Sequence, residues 1–242
     1  MLEDKIKHYR TDAEYYNYFN VENPAIADEE KRRMQYLKRK IKFEPSSLII
    51  DCGSGGGWIA KEYLPRDVTV VSIDLADSNL RKIKKNYDPN RKGLYVVADL
   101  YNLPFKNKVF DGGTSNDVYE HIEKPEIAAA EVFRCMKKNA RFHVSVPFME
   151  NIVYYICIHC NKPTPINAHL HSFDEKSLRE IFESGGFKIE SMQGFINKGL
   201  QLTLMSYFLM RWMPYWLWRF CDSLASLFVR KYSRIALTMV SD

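Results

Sequence analysis

From Ser47 onward the chain repeats one rhythm: a short, nearly unbroken apolar run, a turn, then a stretch with apolar residues three or four apart. The runs Ser47–Asp51, Val68–Asp74 and Leu94–Ala98 read as strands buried on both faces, with helices over Trp58–Tyr63 and Ser78–Tyr87 between them. Val109–Ser115 is a poorer strand, weakened by Gly112 and Gly113; a helix beginning near Pro125, a favoured first helical residue, and a strand Ala140–Val146 follow. An irregular insertion covers 148–171. Beyond it, Ser172-Phe-Asp-Glu175 has the form of a capping box, the helix it opens runs to Ser184, and Gly185-Gly186 stops it. Phe187–Met192 and Ile235–Val240 complete the strands. Alternating units of this kind bury a parallel sheet between helix layers, so the expected fold class is α/β: a doubly wound, seven-stranded, mostly parallel sheet with helices on both faces and ligands at the carboxyl ends of the strands.

The flanking segments fit this picture less tightly. Tyr9–Asn23 is rich in tyrosine and asparagine without clear periodicity, and reads equally as a lid over the site or as an irregular lead-in. Asp28-Glu-Glu30 then opens a helix with Met34, Leu37 and Ile41 on one face, ended by Pro45. At 242 residues and 46% apolar, the chain is expected to be a single domain over 1–242, with 1–44 as a helical lead-in. Met1–His8 is charged and has no apolar h-region, so the cytoplasm is the expected compartment. The formal charge of +5 comes from clusters such as Lys31-Arg-Arg33, Lys38-Arg-Lys40 and Arg81–Lys85. These read as solvated helix faces. No continuous basic stripe with interleaved aromatics is present, so nucleic acid is not an expected partner, whereas attraction to an anionic membrane surface is compatible with the charge. Leu200–Lys231 is strongly aromatic, but Arg211, Pro214, Arg219 and Asp222 interrupt it, which argues against a spanning helix. It reads either as an interfacial segment peripheral at a membrane or as a helical excursion covering the sheet or a dimer partner.

Candidate chemistry centres on Asp51-Cys-Gly-Ser-Gly-Gly-Gly57, where four glycines occupy five positions directly after a strand. Missing Cβ atoms let a backbone bend sharply and approach a ligand closely. A dinucleotide register survives at Gly55-x-Gly57-x-x-Ala60, keeping an NAD-dependent oxidoreductase open as an alternative. Asp51 weighs against it, since a carboxylate at the strand tip would repel a pyrophosphate and attract a cationic, phosphate-free ligand.

With that acid in place, the motif resembles the acid-x-Gly-x-Gly-x-Gly signature of class I S-adenosylmethionine-dependent methyltransferases, whose fold is Rossmann-like. The resemblance extends in order through Ser72-Ile-Asp74, Ala98-Asp-Leu100, Leu103-Pro-Phe105, Phe110-Asp111, Tyr119-Glu-His121, a helix ending in Met136-Lys-Lys138, the strand Phe142–Pro147 and Gly185-Gly-Phe187. It covers about residues 28–192 and is similar to the small-molecule, quinone-biosynthesis-like branch. It departs from the family at Gly112-Gly113 and in the 148–171 insertion. The resemblance implies S-adenosylmethionine as cofactor, held by Asp51, Gly53, Gly55, Gly57, Asp74, Asp99 and Leu100, with Asp74 on the ribose hydroxyls and Asp99 on the adenine amino group. It implies methyl transfer to a small-molecule or lipid-linked acceptor.

Methyl transfer from a sulfonium is an in-line displacement that needs alignment and exclusion of water, plus a base if the acceptor is a hydroxyl. His121 and Glu120 are the candidate catalytic residues, with Asp117 nearby; His121 reads as readily as a helix-start residue that packs or caps, and His143 as a core histidine. The insertion supplies Cys157-Ile-His-Cys160 and His169-Leu-His171, the donor types of a zinc site. Cys157, Cys160, His169 and His171 are therefore candidate zinc ligands; otherwise they are a reduced cysteine pair and histidines lining the cleft. A non-catalytic cofactor-binding or zinc-bearing interaction protein remains a third reading.

Overall fold

A computed structural model describes residues 2–15, 23–60, 67–87, 92–203 and 205–242. The sequence-expected helix over 58–63 opens at Trp58; its continuation lies outside the described residues. Seven strands form one sheet: β1 (Leu48–Cys52), β2 (Thr69–Asp74), β3 (Gly93–Val97), β4 (Phe110–Asn116), β5 (Met136–Pro147), β8 (Phe187–Asn197) and β9 (Tyr232–Ser241), in spatial order β3-β2-β1-β4-β5-β9-β8. Strands β1 to β5 pair in parallel, and β9 runs antiparallel between β5 and β8. This is the doubly wound arrangement expected. The order reverses between β1 and β4, so their carboxyl ends frame the crevice where such sheets bind ligands.

Two apolar layers sandwich the sheet. On one face α4 (Pro125–Cys135) and α5 (Glu175–Ser184) contribute Ala128, Val132, Leu178 and Phe182. On the other, α2 (Pro24–Lys40), α3 (Asp77–Asn86) and α8 (Tyr215–Phe228) contribute Leu37, Ile83 and Trp218. Short helices α6 (Lys198–Leu202) and α7 (Met205–Met210) lead from β8 into α8.

Several local expectations change. Within the stretch read as a lid or irregular lead-in, residues up to Tyr15 belong to a helix, α1 (Leu2–Tyr15), while 16–22 lie outside the described residues. Helix α2 starts at Pro24 rather than near Asp28, because the Asn23 side chain accepts from the Ala25 amide at 3.0 Å and caps the first turn. The capping box falls on Asp174 and Ser177, not Ser172 and Glu175: Phe173 still bridges to Phe148 in extended conformation, so the helix cannot begin earlier. Met136-Lys-Lys138 opens β5 instead of closing α4.

Gly112 and Gly113, read as weakening β4, are what the packing requires. A Cβ on Gly112 would sit 2.6 Å from Phe43 Cε1, and one on Gly113 would sit 2.6 Å from Ile50 Cγ2. The insertion forms a two-stranded antiparallel hairpin, β6 (Tyr154–Ile156) and β7 (Pro163–Pro165).

Candidate active site

The glycine loop leaves β1 at the switch point. Gly53, Gly55 and Gly57 all have positive φ, at 68°, 44° and 65°, a region that L side chains rarely adopt. Their surroundings differ. A Cβ on Gly53 would lie 2.3 Å from Val118 Cγ2, and one on Gly57 would lie 2.6 Å from Ile83 Cγ1, so these two glycines admit neighbouring elements of the fold. At Gly55 the nearest contact is its own loop's Gly53 carbonyl at 3.9 Å, which leaves that side of the loop open for a ligand.

Carboxylates surround this opening. Asp51 is 2% exposed, and its Oδ2 is buried without a hydrogen-bond partner. Burial raises its pKa to about 7, with nearby Asp74 adding to the rise. Asp74 at the tip of β2 accepts from the Gly55 and Ala76 amides, both at 2.9 Å, and from Asn79 Nδ2 at 3.4 Å, so it holds the loop in place. Asp99 follows β3 and accepts from the Tyr101 amide at 3.0 Å in a tight turn. Leu100 packs its side chain into the core, so only its backbone is left to meet a ligand.

Beyond β4 the chain reverses at Asp117 (φ 53°), whose amide donates to the Ser145 carbonyl, and a single 3-10 turn, Tyr119–His121, carries the next candidates. Val118 fills the space over Gly53, which sets this turn against the glycine loop. Glu120 is fully buried, and neither carboxylate oxygen has a hydrogen-bond partner; burial and Asp117 push its pKa well above the usual carboxylate range. The His121 pKa falls to about 4, through burial first and then neighbouring His169. Its Nδ1 lies 3.2 Å from the Ala168 carbonyl. From α1, Tyr9 donates to the His121 carbonyl at 3.1 Å and stacks edge-on against the ring, while Arg10 reaches the Leu75 carbonyl, so α1 bridges the two sides of the crevice.

The four candidate zinc ligands do not come together. Cys157 and Cys160 sit at the end of the β6–β7 hairpin, Cys160 exposed, and both are free thiols. His171 turns its Nε2 to the Ile122 carbonyl at 2.9 Å. His169 instead meets His121, ring centroids 4.8 Å apart, and pairs its Nδ1 with Glu150. Among the described residues, the group of three metal-ligating side chains that converges is Glu120, His121 and His169, with donor atoms within 4.8 Å of one another. The hairpin pulls the cysteines away because its register, Tyr154 opposite Pro165, leaves them in the turn. His143 is a core histidine as expected, buried in β5 and facing Thr238 Oγ1 at 3.1 Å.

Sequence reasoning did not find Arg33 and Arg234, which clamp Asp117 from α2 and β9, nor Glu150. These are isolated residues far apart in the chain, without a local pattern to mark them.

Residues 50–144, from the first strand through the fifth, match the methyltransferase domain family. Those residues carry a methyltransferase domain. Sterol 24-C-methyltransferase erg6 of Schizosaccharomyces pombe is 26% identical over 126 residues, 50% of this chain and 33% of its own length. Malonyl-[acyl-carrier protein] O-methyltransferase of Halalkalibacterium halodurans is 24% identical over 138 residues, 55% of this chain and 51% of its own. The methyltransferase domain thus spans about half the length or less of these curated relatives. A crystal structure of an S-adenosylmethionine-dependent methyltransferase from Mesorhizobium loti superposes with a TM-score of 0.62 at 15% identity, covering 88% of this chain and 99% of the other, a likeness of fold.

Proposed function

We propose that the protein transfers a methyl group from S-adenosylmethionine to a small-molecule or lipid-borne acceptor. The observation that carries this reading is the open side of Gly55 beside the buried, unpartnered oxygen of Asp51. A cradle of backbone with an unsatisfied carboxylate suits a ligand bearing ammonium and sulfonium charges, and disfavours the pyrophosphate of NAD. Asp51 takes the ammonium end, Asp74 the ribose hydroxyls and Asp99 the adenine amino group, while Gly53 and Gly57 keep the loop's shape. Bound there, the cofactor would supply an electrophilic methyl to the acceptor's nucleophilic atom. The protein's share is alignment and exclusion of water, to which α1 contributes by closing over His121.

Glu120 and His121 form the acceptor end. As bases they are weak on their own: Glu120 is held protonated by burial, and a His121 pKa near 4 makes its imidazole a poor proton acceptor. Incubation of the protein with methyl-labelled cofactor and a cell extract, split afterwards into organic and aqueous phases, tests the reading. Label is expected in an organic-soluble product and is expected to disappear with Asp51→Ala; failure to consume the cofactor with any fraction would contradict it.

A lipid-borne acceptor is favoured by α8. This helix buries Trp218 and Asp222 against α2 and β8, and turns Trp216, Phe220, Leu224 and Phe228, 46 to 83% exposed, outward on its opposite face. Trp212 continues this surface, and Arg211, Arg230 and Lys231 flank it. Aromatic and aliphatic groups rimmed by basic residues fit the headgroup boundary of an anionic bilayer. No described helix is long and apolar enough to cross a membrane. The sterol methyltransferase relative has a lipid named as its substrate.

A further inference from the structure

We propose that Glu120, His121 and His169 form a binding site for one divalent transition-metal ion at the acceptor end of the cleft. Three features of the site support it. Glu120 is fully buried with both carboxylate oxygens lacking hydrogen-bond partners, an arrangement that a folded protein rarely tolerates without a ligand. His121 and His169 each have Nδ1 facing an acceptor, the Ala168 carbonyl and the Glu150 carboxylate respectively. That pattern fixes the Nδ1–H tautomer and leaves the Nε2 lone pair for an ion, as in carboxylate–histidine–metal sites. The donor atoms of Glu120, His121 and His169 converge on one another across the cleft.

Charge balance points the same way. Glu29, Glu30, Asp117, Glu120 and Glu150 converge here against three cations, Arg33, Arg234 and Lys198. Donor atoms lie within 4.8 Å of one another, and bonds of about 2.0–2.2 Å place the donors of one ion about 3–4 Å apart, a closure within reach of side-chain rotation. Two imidazoles and one carboxylate select a borderline ion such as zinc, iron(II) or cobalt(II) over magnesium or calcium, and three protein ligands leave positions open. The backbone holds the set: the Leu170 and His171 amides both donate to the Glu120 carbonyl, at 2.7 and 3.3 Å, clamping the insertion onto the 3-10 turn.

On the methyl-transfer reading, the open positions accept an oxygen of the acceptor, and the ion lowers that oxygen's pKa where Glu120 and His121 alone are weak bases. This last role rests on that reading; the binding of the ion does not.

Chelator-treated full-length protein, titrated with zinc by calorimetry and with cobalt(II) by visible absorption, tests the site. One equivalent per chain is expected, with ligand-field bands and no intense thiolate charge-transfer band. His169→Ala and the near-isosteric Glu120→Gln should each weaken binding by about tenfold or more, and Glu150→Gln, through its hold on the His169 tautomer, by about tenfold. Cys157→Ser with Cys160→Ser should leave affinity unchanged. Absence of saturable binding to the folded wild type, or loss of binding in the double serine variant with His169→Ala unaffected, overturns the proposal. S-adenosylmethionine binding measured on the same sample separates the two ideas: cofactor without metal sinks only the ion site, metal without cofactor only the methyl-transfer reading.

Discussion

Asp51 sets the most direct test at the residue scale. Its folded pKa of about 7 is raised above the usual value, so the carboxyl contributes full stability below about pH 4 and loses it as pH rises through 7. A cationic ligand needs the ionised form. Affinity for S-adenosylmethionine should therefore weaken by about tenfold per pH unit below 7, since each unit costs about 1.4 kcal/mol. Asp51→Asn should bind weakly with a flat profile; a wild-type profile flat from pH 5.5 to 8 would contradict the assignment. The glycines separate likewise. Gly55→Ala meets open space but must hold a positive φ, so it should cost about 1–2 kcal/mol of stability while abolishing cofactor binding by calorimetry, because its Cβ enters the cradle. Gly57→Ala drives a Cβ into Ile83 and should lower the melting temperature as well, by about 1–3 kcal/mol of stability.

The strands show what could be read in advance. All seven were legible: β1 and β2, buried on both faces, carry the near-continuous apolar runs Ile49-Ile50 and Val70-Val71, and the partly exposed edge strands β3 and β8 still stand out as short apolar-containing runs. The glycine loop and its acids were legible because they sit consecutively at strand ends. What was not legible depends on distant partners. Gly113 looked like a weakness until Ile50 was placed against it, and Gly113→Val should destabilise the fold by about 1–3 kcal/mol in chemical denaturation rather than strengthen β4. His169 looked like a partner for Cys157 and Cys160 by spacing, yet the hairpin register sends it to His121. The bounds of helix α1 escaped notice because, among its described side chains, most are exposed and only Ala13 is deeply buried. For α8, an aromatic helix could be read as buried or interfacial, and the structure gives it one buried face and one exposed apolar face. Trp216→Ser with Phe220→Ser should reduce flotation with phosphatidylserine-containing vesicles severalfold while leaving cofactor affinity intact. Equal flotation of the variant, or a wild type that stays with the protein fraction as a dimer by light scattering, would assign that face to something other than lipid.

At the scale of the whole molecule, the sheet's reversal between β1 and β4 brings two chemically different ends into one crevice. The β1 to β3 side offers acids and an open loop suited to a cationic cofactor; the β4 side offers Glu120, His121 and His169, with α1 closing across both. Arg33 and Arg234 tie α2 and β9 to Asp117, so three elements fix the β4 side of the crevice together. Loss of that clamp through Arg234→Ala should therefore impair turnover more than cofactor affinity. The central claim is that the crevice is built for S-adenosylmethionine. Calorimetric titration of the wild-type chain at pH 7.5 with S-adenosylmethionine, S-adenosylhomocysteine and NAD tests it most directly. The account predicts saturable one-to-one binding of the first two and none of the third; saturable binding of NAD with no heat from S-adenosylmethionine would contradict it.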